Sequence, residues 1–300
     1  VVQSRRAQAD RQLPLGEEVF LDHVGHFVPE PDAAGRALAR AGFAPTPASI
    51  QVDPSAGGTE RLTGTGNVTA MLSRGYIEAL FKTADTALGR ELETAMARYG
   101  GVHLAAFAVA DAAAAHRRLA AAGFRMQPLL EMRRPVDTGG GPGTAAFTLA
   151  RLAPGQMPEG RIQILTHRSE SMVWQPRWLK HPNGALALTG IVIAVADPEE
   201  AARRFARFTG RAAARSASGQ TIALDRGRVE LVSADAFQRR LPEIPVPSLP
   251  FAGAYAVRVA SLPRADDLLR RADLTTRRDE HGLIVPFPAE LGRGAWLFAE

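Results

Sequence analysis

The sequence predicts an α+β fold assembled from four copies of one βαβββ module, and three observations carry that expectation. Four apolar strand-like segments, at 21–28, 102–109, 190–196 and 254–260, are each followed by a helix rich in Ala and Arg. The helices run out on related sequences: Arg40-Ala41-Gly42-Phe43, Ala121-Ala122-Gly123-Phe124, Phe208-Thr209-Gly210-Arg211 and Arg271-Ala272-Asp273-Leu274. Each unit then closes on a related tetrad, Gly75-Tyr76-Ile77-Glu78, Gly160-Arg161-Ile162-Gln163, Gly227-Arg228-Val229-Glu230 and Gly294-Ala295-Trp296-Leu297, recurring after 85, 67 and 67 residues. Regular self-similarity of this kind is the mark of an internal repeat. Glycine just past a helix enters the left-handed conformation without a Cβ clash, which marks the helix ends.

The modules fall at 19–83, 101–167, 188–235 and 251–300, which divides the chain into three parts. Residues 1–18 form a polar, Arg-bearing arm without the apolar core of a secretory signal. Residues 19–183 hold modules one and two, joined by a linking helix at 85–99. Residues 184–300 hold modules three and four. The segment around Trp174 and Trp178 joins the halves and reads as packing. The Gly-rich run at 139–143 has no strand-to-helix context for a phosphate cradle and reads as a mobile loop over a cup.

Composition narrows the chemistry. At 300 residues and 46% apolar, the chain has ample material for a core, and no stretch approaches the roughly 18 uncharged apolar residues of a membrane span. Zero cysteines exclude disulfide scaffolds, thiolate metal sites and a cysteine nucleophile. The net charge of +5 comes almost wholly from arginine, the only lysines being Lys82 and Lys180. Those arginines are scattered along helices without a basic run interleaved with aromatics, so they read as solvated faces rather than a nucleic-acid surface. The expected setting is cytoplasmic, with a small-molecule substrate, no nucleic-acid or membrane partner, and homodimerisation left open.

Polar residues in equivalent columns mark the candidate site. His23 lies nineteen residues before Gly42, and His103 twenty before Gly123. The same column falls near Gly190 and Gly253 in the later modules, and the last-strand column reads Glu78, Gln163, Glu230, Leu297. Strand alternation puts His23, Gly25 and Phe27 on one face and His103, Ala105 and Phe107 on another. Tyr76 shares a face with Glu78, and Arg161 with Gln163. If two modules pair with these faces inward, His23, Glu78, His103 and Gln163 converge as two imidazoles, a carboxylate and an amide. That set suits one divalent metal ion (Fe, Mn, Zn, Ni or Co). Tyr76, Phe107 and Arg161 then face the substrate; Arg151 and Arg161 read either as partners of a substrate carboxylate or, more commonly for such residues, as free surface arginines. His26 points to the opposite face and reads as packing against the helices. His116 reads as a surface residue, His167 as strand end or cavity rim, and His181 and His281 carry no signal. Glu230, without an imidazole in its half, reads as a relic of duplication.

The strand LDHVGHFV at 21–28, the GTGN turn at 64–67, the strand GYIEAL at 75–80 and the segment VWQPRWLKHPNG at 173–184 resemble the vicinal oxygen chelate superfamily, the glyoxalase/bleomycin resistance/dioxygenase fold. The chain looks most like its longer bacterial glyoxalase-like proteins. The resemblance implies modules paired into two glyoxalase-like half-barrels, with the ligand set His23, Glu78, His103 and Gln163 in the first pair. It also implies a metal-dependent enzyme acting on a small substrate with vicinal oxygens, and Glu78 is the residue placed to act as catalytic base. Gln163 departs from the more common second Glu, and the second module pair lacks the His column. A lyase or isomerase, a ring-cleaving dioxygenase and a non-catalytic small-molecule binding or sequestering protein all remain open on the residues.

Overall fold

The four repeats appear as four βαβββ units in a computed structural model that describes residues 11–54 and 60–300; of the arm, residues 1–10 lie outside the described residues. Module one comprises β1 (Phe20–Phe27), α1 (Pro31–Arg40), β2 (Ser49–Pro54), β3 (Glu60–Met71) and β4 (Tyr76–Lys82). The linking helix α2 (Ala87–Arg98) leads to β5 (Gly101–Ala108), α3 (Ala112–Ala121), β6 (Leu130–Asp137), β7 (Pro142–Arg151) and β8 (Arg161–His167). A short α4 (Glu170–Val173) precedes module three: β9 (Ala185–Val195), α5 (Pro198–Thr209), β10 (Ala213–Ser216), β11 (Gly219–Ala223) and β12 (Arg228–Ser233). After α6 (Ala234–Arg240) come β13 (Phe251–Val259), α7 (Leu262–Arg271), β14 (Arg277–Asp279), β15 (Gly282–Pro286) and β16 (Ala295–Ala299).

Local chemistry sets the helix limits. Asp111, Asp197 and Ser261 cap α3, α5 and α7 by accepting from backbone N–H groups of the first turn, which satisfies donors that have no partner within the helix. Past the repeat helices, Gly42, Gly123 and Gly210 take φ of 78°, 84° and 70°. Asp273 fills the same column at φ 56°, the one non-glycine residue with positive φ among the described residues.

The first two modules close on themselves. β1 runs parallel to β4 and antiparallel to β5, and β5 runs parallel to β8. The outer strands continue through β3, β2, β6 and β7, with Val52 of β2 opposite Arg133 of β6 completing an eight-stranded barrel. Modules three and four meet through antiparallel β9 and β13, and their outer strands β10 and β14 stay unjoined among the described residues. One apolar core, including Leu38, Ile77, Phe107, Phe208 and Trp296, draws on all four modules. A second fills the barrel with Leu80, Leu104, Phe147 and Leu165, and a third lies against the strands of modules three and four with Val192, Phe237 and Leu297. Among the described residues, no helix is long and apolar enough to cross a membrane.

Bulges fix which residues enter the barrel. In the β1–β5 pairing Leu21 faces Phe107 but His23 faces Ala106, so Asp22 is skipped; Gly25 faces Leu104 but His26 faces Val102, so His103 is skipped. The β9–β13 pairing skips Thr189 and Gly253 in the same way. A bulge of this kind re-aims the side chains beside it. The parallel registers complete the alignment: His23 lies opposite Tyr76 on β4, and Leu104 opposite Arg161 on β8. Leu104, nineteen residues before Gly123, is therefore the counterpart of His23. His103 is the counterpart of Asp22. The expected column was one residue out in module two, and in a strand one residue exchanges the faces.

Candidate active site

A cleft of about 440 Å³ opens into the barrel, with residues from all eight strands on its wall. β1 contributes His23, β4 contributes Tyr76 and Glu78, and β8 contributes Arg161 and Gln163. These five expected site residues come together. Gly25 lets the floor close beneath them, because a Cβ there would lie 2.9 Å from Leu80 and 3.0 Å from Leu104.

Two expected residues do not join them, and both errors come from the face of β5. His103 Nε2 is 2.7 Å from the Tyr99 carbonyl, with its ring stacked on Tyr99 at 4.0 Å. Burial pushes its pKa down to about 4, so the ring is a neutral packing element. Phe107 belongs to the helix-side core, where it meets Phe208 of α5 edge-on at 5.6 Å. Neither lines the cleft. The GTGN segment is also not a turn: Gly64 to Asn67 lies within β3, which carries Asn67 into the cleft.

His23 sits at the centre of a buried chain of hydrogen-bonding groups. Its Nδ1 lies 2.7 Å from Asp22 Oδ2, and Asp22 Oδ1 lies 2.9 Å from His167 Nε2. Burial raises the Asp22 pKa, but the charge and hydrogen bonds of His167 and His23 outweigh it and hold the carboxyl well below the usual range. An ionised Asp22 fixes the proton on Nδ1 and turns Nε2 to the cleft, as a carboxylate behind an imidazole does in many sites. Nε2 lies 3.5 Å from Glu78 Oε2. The other Glu78 oxygen accepts from Asn67 Nδ2 at 2.5 Å and from Gln51 Nε2 at 3.4 Å. Tyr76 stacks on His23 with ring centroids 4.3 Å apart. Burial, then the charges of Asp22 and Glu78, lift the Tyr76 pKa well above its ordinary value, so its hydroxyl stays protonated.

Opposite this chain the wall is cationic. Arg134 is 6% exposed, lines the cleft and has no hydrogen bond or ion pair among the described residues. Arg151 is 8% exposed and donates from Nε to Gln163 Oε1 at 3.1 Å. Burial and the repulsion of Arg161 push its pKa down to about 9. Arg161 is tied to Glu91 of α2 at 2.9 Å. Arg134 and Asp22 were missed in the sequence. Arg134 is one of two adjacent arginines on β6, and only its alternation with buried Met132 marks it as inward. Asp22 had a signal, being the module-one equivalent of His103.

The remaining candidates are structural. His26 is wholly buried on the helix side, 2.8 Å from the Leu291 carbonyl and 2.9 Å from the Tyr255 hydroxyl. His181 bridges the Ala44 N–H and the Met71 carbonyl. His116 is 2.8 Å from the Gln127 carbonyl. Glu230 pairs with Arg228 and Arg240. Trp174 packs edge-on against Tyr76 and His167. The 139–143 run spans the β6–β7 connection and the start of β7, held by Arg177 through Asp137.

A divalent ion needs three or four convergent donors. The cleft presents His23 Nε2 and Glu78 Oε2, Gln163 Oε1 already accepts from Arg151, and Leu104 stands where a second imidazole would have to be. Three guanidiniums share the same wall. No group of three or more His, Cys, Asp or Glu side chains suited to an ion occurs among the described residues. These residues do not fit the expected metal.

Paired βαβββ modules around a barrel site define a protein of the vicinal oxygen chelate superfamily. The family model described as "Glyoxalase-like domain" matches residues 21–209, and the chain belongs to that family. Solved structures agree in fold. A hypothetical protein from Staphylococcus aureus superposes with TM-score 0.62 at 11% identity, over 93% of this chain and 98% of that one. A mutant of 4-hydroxymandelate synthase from Streptomyces coelicolor gives 0.53 at 14% identity, over 94% and 92%. A xylose isomerase-like TIM barrel/4-hydroxyphenylpyruvate dioxygenase fusion protein gives 0.52 at 15%, over 93% of this chain and 48% of that one. No curated protein matches the sequence. At these identities the likeness concerns fold.

Proposed function

We propose that the N-terminal barrel is the active site of a small-molecule enzyme that moves a proton on an oxygenated substrate, an isomerase or lyase type of reaction running on side chains alone. The observation that carries this reading is the Asp22–His23–Glu78 chain, with Nδ1 held at 2.7 Å and Nε2 3.5 Å from a carboxylate, opening onto the barrel cleft. A general base needs a fixed tautomer and a lone pair aimed at the substrate, and Asp22 supplies the first. In the proposed step, Nε2 takes a proton from the carbon beside a carbonyl. The bonding pair moves onto the carbonyl oxygen, and the proton returns to the same or the adjacent carbon. Glu78 Oε2 is near enough to relay that proton, and the Tyr76 hydroxyl and Arg134 are the cleft groups suited to the developing oxyanion.

Proton exchange tests this directly. Pyruvate, phenylpyruvate and acetoacetate, incubated with the protein in D2O, should show catalysed loss of the C–H signal by NMR for at least one member. His23→Gln should lower that rate by about a hundredfold or more, the usual scale of a general base, and Asp22→Asn should lower it less. An unchanged rate in His23→Gln would refute the assignment. The second reading, a sequestering protein, draws on the hydrogen bonds already made by both Gln51 and Asn67 to Glu78. It predicts binding of such compounds with no exchange.

A further inference from the structure

We infer that the ligand of this cleft is a monoanionic carboxylate with an apolar body, its carboxylate held by a buried guanidinium of the cleft wall, Arg134 or Arg151; the inference rests on the barrel being a small-molecule site and names the class of molecule it takes. Burying an unpaired cation is strongly unfavourable, and such groups persist where something outside the chain pairs with them. Arg134 and Arg151 are more than nine-tenths buried, and both reach the cleft. Arg134 has no hydrogen bond or ion pair among the described residues, and the one side-chain hydrogen bond of Arg151 leaves from Nε. The outer fork of its guanidinium is therefore free for a ligand, and a planar carboxylate matches such a fork bidentately.

Among the charged side chains that line the cleft and their direct ion-pair partners, one positive charge is left over. Arg161 is neutralised by Glu91, and Glu78 offsets one of the two remaining guanidiniums. That leaves room for a carboxylate but poor accommodation for a phosphate dianion, which would also face the Glu78 carboxylate. The rest of the wall is apolar, formed by Met132, Phe147, Leu149, Leu80, Leu104 and Leu165. An apolar body set against this surface leaves water, while the carboxylate lies on the arginine side. Arg134 also borders a neighbouring cleft of about 570 Å³ lined by Val136, Met172 and Trp178.

Titration calorimetry on the full chain at low ionic strength and neutral pH tests the proposal, with benzoate and phenylacetate against benzamide, phenylacetamide and inorganic phosphate. The acids should bind once per chain, at least tenfold more tightly than the amides or phosphate. At least one of Arg134→Gln and Arg151→Gln should weaken acid binding tenfold or more, the Lys variant at that position should keep part of it, and the exposed Arg215→Gln should leave it unchanged; acid binding that survives both Gln variants would overturn the proposal. Amides binding as well as acids in the unmutated protein, or phosphate binding more tightly, would overturn the proposal whatever the variants do. Acids that bind as expected while no compound exchanges protons would leave this inference standing and remove the proton-transfer reading instead.

Discussion

Two histidines three residues apart on β1 illustrate how position decides role. His23 faces the cleft and is backed by a carboxylate. His26 faces the helix side, where it joins module one to module four through the Tyr255 hydroxyl and the Leu291 carbonyl. Burial pushes the His26 pKa from 6.5 down to about 4. The folded chain thus declines a proton that the unfolded chain accepts near pH 6.5, so this histidine favours folding above that pH and loses its advantage as pH falls toward 4. The full effect is on the order of 3 kcal/mol. Urea unfolding at pH 7.5, 6 and 5 should show stability falling with acidity, and His26→Gln should remove up to one proton's worth of the slope. An identical slope in the variant would mean that His26 is not the titrating group. At this scale the sequence was informative where a residue type recurred in a column, as for Glu78 and Gln163. It was silent on Arg134, since an inward arginine is indistinguishable in sequence from the surface ones around it.

At the scale of the strand, a repeated bulge explains both the tetrads and the misplaced column. The skipped residues Asp22, His103, Thr189 and Gly253 occupy one position of the repeat. In three modules their carbonyls crowd the glycine that opens the last strand: a Cβ would stand 2.6 Å from Asp22 O at Gly75, 2.4 Å from His103 O at Gly160, and 2.6 Å from Gly253 O at Gly294. The tetrad glycine is thus what lets a parallel strand pass a bulge. Gly160→Ala should cost about 2–4 kcal/mol, from positive φ plus a backbone clash. Gly123→Ala, with positive φ but nothing within 4 Å of the new Cβ, should cost about 1–2 kcal/mol. Equal losses in denaturant melts would remove the carbonyl contact from the explanation. The repeat and its strands were legible because apolar runs, cap glycines and tetrads are local signals. The bulge was not, because it is defined by a partner strand some eighty residues away. The one-residue difference in spacing between His23–Gly42 and His103–Gly123 was its only trace.

Over the whole molecule, duplication supplied four modules, and the polar set was kept in one barrel. The second pair of modules puts Gly190 and Ala254 opposite its closing strands where the first pair puts His23 and Leu104, and its Glu230 is engaged by two arginines. A common apolar core and the β5–β13 contact hold it against the barrel. Within a superfamily named for chelation, this chain assembles one imidazole, one carboxylate and a cationic wall, a set proposed to move protons without an ion. The most direct test measures proton exchange and bound metal on the same samples: protein stripped with a chelator, protein as purified, and protein loaded with Fe(II), Mn(II), Co(II), Ni(II) or Zn(II). Proton transfer by side chains alone predicts a rate per chain independent of metal content and lost in His23→Gln throughout. A rate that vanishes on stripping and returns in proportion to bound metal would contradict it.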